Sequence, residues 1–132
     1  MERSKTEKFD EFEGVVEDVI LEPSNMDVNK NEQYHISVKP IDKMIKGKTG
    51  LMHEWIRIPA TATESSIPEE SVIDKYIQQL EIIMPEVAKV ESHVEIFNSL
   101  KGKKLKFKKL KLGKSYDRHD AKEYWTPIAL VE

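Results

Sequence analysis

The chain contains no cysteine. Disulfides, thiolate metal sites and a cysteine nucleophile are therefore excluded, and a fold that needs no disulfide fits a reducing compartment. Long hydrophobic runs are also missing: no stretch approaches the roughly 20 apolar residues of a membrane helix. Signatures of catalysis are absent, with no P-loop, no G-x-S-x-G, no H-E-x-x-H and no dinucleotide fingerprint. The histidines, His35, His53, His93 and His119, show no short ligand spacing and have no cysteine partner. Asp117, His119 and Asp120 imitate a metal-nuclease cluster, but nothing else converges on them. The expectation is a non-enzyme with no metal and no cofactor. The start of the chain, Met1 to Asp10, is polar and mixed in charge, which reads as a flexible segment rather than a signal peptide. A cytoplasmic protein without membrane association is the simplest expectation.

What is present fits one domain. A chain of 132 residues can bury about two thirds of its unfolded surface, enough for one core. The expected division is a flexible segment over 1–10 and a single domain over 11–132. The formal net charge is -3, which alone argues against a strongly basic nucleic-acid binder, but the distribution matters more than the sum. Residues 101–118 carry Lys101, Lys103, Lys104, Lys106, Lys108, Lys109, Lys111, Lys114 and Arg118 against Asp117. The first 22 residues lean acidic.

Periodicity places the elements. A first strand is expected from Glu11 to Glu22, where Gly14 interrupts the β-branched run and marks a bulge or a close backbone approach. Pro23 to Asn31 is turn chemistry. Gln33 to Asp42 alternates with a period of two and reads as a second strand, and Leu51 to Ile58 as a third. Ser66-Ile67-Pro68-Glu69 has the form of a capping box. The stripe Val72, Ile73, Tyr76, Ile77, Leu80, Ile83 and Met84 behind it predicts a helix, and helical periodicity continues past Pro85 to Gly102. A fourth strand over Lys103–Leu112 needs a bulge near Lys108-Lys109 to reconcile Leu105 and Phe107 with Leu110 and Leu112. A hydrophilic loop, Gly113–Glu123, leads to a fifth strand, Tyr124–Val131, whose Pro127 prefers an edge or a bulge.

Three strands, a helical segment and two strands follow the plan of the five-stranded OB-type barrel, with the helical insertion between the third and fourth strands. The string GKKLKFKKLKLGKSY followed by YWTPIALVE resembles the closing hairpin of small phage and archaeal single-stranded DNA-binding OB-fold proteins. The helical stretch, Ser66 to Leu100, is longer than that family's norm. The resemblance implies a mainly β protein that binds single-stranded nucleic acid without catalysis. It places the ligand across the second and third strands, flanked by the loops after the first strand and before the last. Stacking then falls to Trp55, with Tyr116 and Trp125, and His53 lies beside them. Lys39, Arg57, Lys106, Lys108, Lys114 and Arg118 would hold phosphates.

Each signal has a plainer counterpart. An aromatic in a strand is commonly core, so Trp55 belongs either to a stacking surface or to the interior. Tyr124 and Trp125 point to opposite faces, so one of them is core. The lysine strand serves either phosphates or a solvated edge that discourages aggregation, with Glu11, Glu13 and Glu17 as acidic neighbours in the same chain. The helix stripe packs on the barrel or receives a protein partner. With the acidic N-terminal segment, it also supports a different class of function, an OB-like protein-interaction or assembly module such as a replication or viral accessory factor.

Overall fold

A computed structural model describes residues 9–23, 32–43, 50–112 and 122–131. Five strands, β1 (Glu11–Pro23), β2 (Glu32–Pro40), β3 (Met52–Arg57), β4 (Lys104–Lys111) and β5 (Glu123–Leu130), form one sheet in the order β3-β2-β1-β4-β5. Every pairing is antiparallel. The helices α1 (Val72–Ile83) and α2 (His93–Asn98) lie between β3 and β4 in the chain, with a 3-10 turn at Pro85–Lys89 between them. Mainly β with five strands and an intervening helical segment is therefore the architecture. The sheet is not closed by backbone pairing: β3 and β5 remain its two edges.

The core explains the alternation seen in the sequence. Phe12, Val16 and Val19 of β1, Tyr34, Ile36 and Val38 of β2, and Leu105 and Phe107 of β4 all point inward and are buried. Ile73, Tyr76, Ile77 and Leu80 of α1 complete one continuous cluster with them. Helix α1 packs against both β3 and β5, so the apolar stripe faces the gap between the two edges. The Tyr76 hydroxyl donates to the Trp125 carbonyl at 3.3 Å.

Gly14 marks a close approach. A Cβ there would sit 2.6 Å from Val38 Cγ1 and 2.9 Å from the Lys39 carbonyl oxygen. The bulge in β1 lies slightly further on, between Val16 and Asp18. In the last hairpin the irregularity is at Lys106/Phe107 and the extra residue is Ile128 of β5, not Lys108-Lys109 as the pattern implied. The alternation of β4 runs through without a break. Leu105 and Phe107 face the core, and Lys109, next in phase, lies over the Trp125 ring at 5.1 Å. Pro127 sits beside this bulge on an edge strand, where a missing N–H costs least. The helix cap is also displaced. Ser71, not Ser66, caps α1, its side chain accepting from the Asp74 N–H at 3.3 Å. Ser66 instead forms an isolated bridge with Thr63, because the chain makes one more turn before the helix begins.

Where the edges meet, a buried carboxylate takes the place of a backbone ladder. Glu54 of β3 is buried. Its Oε1 accepts from the Trp55 N–H at 3.0 Å and its Oε2 from the Trp125 N–H at 2.8 Å. Burial pushes its pKa above the ordinary carboxylate range, opposed by those two N–H donors and by the Lys122 and Lys109 charges.

Candidate stacking surface on the second and third strands

Antiparallel register decides which side chains meet on the outer face. Gln33 lies opposite Arg57, His35 opposite Trp55, and Ser37 opposite His53. With Glu54 and Ile56 buried, the odd-numbered residues of β3 necessarily face outward. Trp55 is 41% exposed, which settles its side: the ring stands on the surface and is not core.

Three rings cluster there. The His35 and Trp55 centroids are 4.8 Å apart with planes 20° apart, and His53 lies 5.9 Å from Trp55 at 22°. The two imidazoles are themselves 5.0 Å apart. Imidazoles on opposite faces of the indole would be separated by nearly the sum of their distances to it. They therefore share one side of Trp55. One side of the indole is propped and its remaining surface is turned to solvent.

Polar contacts hold the props. His35 Nε2 and His53 Nδ1 are hydrogen-bonded at 2.8 Å, and the Ser37 hydroxyl is 3.4 Å from His53 Nδ1. On the far side of His35, Nδ1 lies 3.7 Å from Glu22 Oε1, and that oxygen accepts from the Gln33 amide at 3.1 Å. Arg57 and Lys39 are exposed on the same face, at opposite ends of the ring cluster. His35 is the member of the cluster that the sequence argument did not assign to the site. In the sequence it stands only among the histidines without short ligand spacing, because its meeting with Trp55 depends on cross-strand register.

The remaining expected residues divide. Lys106 and Lys108 share the outer face with β1, and their ammonium groups lie 3.6 and 3.8 Å from the Glu11 carboxylate. These pairs are about 40% exposed, where an ion pair is worth roughly 0–1 kcal/mol, so the lysines are lightly held. Trp125 departs from the expected track. It is buried, with its ring 4.9 Å from Phe12 in an edge arrangement, because its phase on β5 turns it inward. Lys114, Tyr116 and Arg118 lie outside the described residues, as do His119 and most of both flanking loops.

His93 takes the plain structural role. The Tyr34 hydroxyl donates to its Nδ1 at 2.6 Å and its Nε2 donates to the Thr63 carbonyl at 3.0 Å. Among the described residues, no group of three or more His, Asp or Glu side chains is arranged to hold a metal ion. Comparison with protein-family models, with curated proteins and with solved structures finds no match.

Proposed function

We propose that the chain is an OB-type domain that binds single-stranded nucleic acid, ssDNA in the first instance, without catalysis. The observation that carries the reading is Trp55: a large aromatic ring on an outward strand face, braced by two imidazoles and flanked by cations. An indole offered this way stacks on a base of any identity, worth roughly 1–3 kcal/mol per base. Arg57 and Lys39 would neutralise phosphates on either side of the stacked base, with Lys106 and Lys108 extending the path after leaving Glu11 at small cost. The strand order β3-β2-β1-β4-β5 supports the barrel reading, since joining β3 to β5 would complete an OB-type circuit.

The test is a fluorescence titration with a pyrimidine single strand at low and raised salt. Saturable quenching is expected, weaker with salt, with a log-log slope of about -0.7 per phosphate contacted. Trp55→Ala is expected to weaken binding by the stacking term of roughly 1–3 kcal/mol. Unchanged fluorescence, together with unchanged anisotropy of a labelled strand at low salt, would sink the proposal. One observation favours a protein-interaction module instead. Glu11 holds Lys106 and Lys108, and Asp18 lies 3.5 Å from Lys101, so this face carries alternating rather than uniform charge. A protein partner retained by the full chain, with no nucleic acid, would favour that class.

A further inference from the structure

The orientation of the Trp55 ring decides from which side it can receive a base. His35 and Trp55 lie directly opposite each other on β2 and β3. Their ring centroids are 4.8 Å apart with planes 20° apart, which matches the spacing of neighbouring strands, about 4.7–4.9 Å. The two rings are therefore stacked across the sheet as their strands are. His35 covers the indole face that looks back over β2, and His53 lies on the same side. The open indole face looks the other way, past the β3 edge and towards β5. We propose that the base stacks there, in an outer groove along the seam between β3 and β5, with Tyr124 of β5 and the preceding Lys122 as the opposite wall. This inference rests on the nucleic-acid reading and places the base beyond the face of β2 and β3.

The seam supplies a floor, a wall and the right charge. No backbone ladder joins β3 to β5, yet the Glu54 carboxylate accepts from the Trp55 N–H at 3.0 Å and from the Trp125 N–H at 2.8 Å. Two strands held by one side chain run close without pairing, and α1 covers the gap from the core side. Trp125 is buried, so Tyr124 beside it turns the other way and is half-buried. Burial pushes the Tyr124 phenol pKa up, the Glu54 charge adds to the rise and the Arg57 charge opposes it. Both β3 side chains are thus within electrostatic reach of this β5 residue. The Lys122 ammonium lies over the Tyr124 ring at 4.8 Å, and the Lys122 and Lys109 charges both reach Glu54. Cations therefore gather along the seam. On the far side of the ring cluster, β1 presents Glu22 and Asp18, the latter 3.5 Å from Lys101, with Ile20 between them opposite His35. A phosphate chain is drawn towards the seam and away from β1.

Photocross-linking of the full chain tests the groove without any substitution. A pyrimidine single strand carrying 5-iodouracil, irradiated with the protein at low salt, is expected to join both Trp55 and Tyr124, as read by mass spectrometry of the linked peptides. Tyr124→Ala should weaken binding about 5-fold or more, the loss of one ring contact, while Tyr124→Phe keeps the affinity. Lys122→Gln should reduce the magnitude of the salt slope by about 0.7, and Tyr124→Ala should leave that slope unchanged. Ile20→Ser, on the β1 side, should alter neither affinity nor slope. Circular dichroism of each variant separates loss of the groove from loss of the fold. Binding that Trp55→Ala weakens, with no cross-link to Tyr124 and with Tyr124→Ala and Lys122→Gln unchanged, would overturn the groove and leave the nucleic-acid reading standing. A wild-type chain that binds no strand at low salt would sink both.

Discussion

Glu54 is the residue at which sequence and environment disagree most. A carboxylate on a core face costs free energy unless it is hydrogen-bonded, and here both oxygens accept from backbone N–H groups. Burial still prevails and raises its pKa. The native state therefore holds a proton on this group over a range where the unfolded chain has released it, and stability falls as pH rises from the ordinary carboxylate range through the raised value. Glu54→Gln cannot titrate. Its amide oxygen keeps one of the two N–H bonds, while its NH2 faces the other donor, so it should be destabilised by about 1–3 kcal/mol. That deficit should shrink as pH rises through the window. Urea midpoints of the two proteins across pH 4 to 8 would check the sign, and a gap that widens with pH would contradict it.

Among the elements, β1 is the central strand of the sheet, pairing with β2 on one side and with β4 on the other. Gly14 is where this central strand permits its neighbour to come close. The methyl group of Gly14→Ala would meet Val38 Cγ1 and, more seriously, the Lys39 carbonyl oxygen, a backbone atom held in the ladder. The expected cost is about 1–3 kcal/mol, measured by urea unfolding, with the strand content intact in circular dichroism. Gly14 was legible in the sequence as a close approach, and the faces of β2 and β3 were legible from a period of two. Other features were not. Ser66 and Ser71 both precede acidic residues at capping distance, and only the extra turn of chain decides between them. Leu110 and Leu112 leave the phase of Leu105 and Phe107, which reads as a bulge in β4. The extra residue instead lies in β5, across the hairpin, where no one-strand pattern reveals it. The ring cluster has the same character. Trp55 was visible as a candidate, but its meeting with His35 is a property of two strands in register.

For the molecule as a whole, Glu11 of acidic β1 lies against Lys106 and Lys108 of lysine-rich β4 on the outer face. The basic run of the sequence is thus not a uniformly basic face, which is why Trp55 rather than the lysines carries the functional reading. The seam between β3 and β5 has a consequence in time as well as in energy. Glu54 and Trp125 are 71 positions apart along the chain, and joining distant positions costs more chain entropy than closing a hairpin. The hairpins β1–β2, β2–β3 and β4–β5 can form from local contacts first, so the clasp across the gap, like the still longer-range pairing of β1 with β4, belongs to the later steps of assembly. An interaction that forms after the rate-limiting barrier slows escape from the native state without hastening arrival there. Stopped-flow traces of Glu54→Gln should show faster unfolding with refolding nearly unchanged. The Glu54 side chain, bridging the two edges of the open sheet, would then act as a latch, setting how long the fold lasts rather than how quickly it is reached.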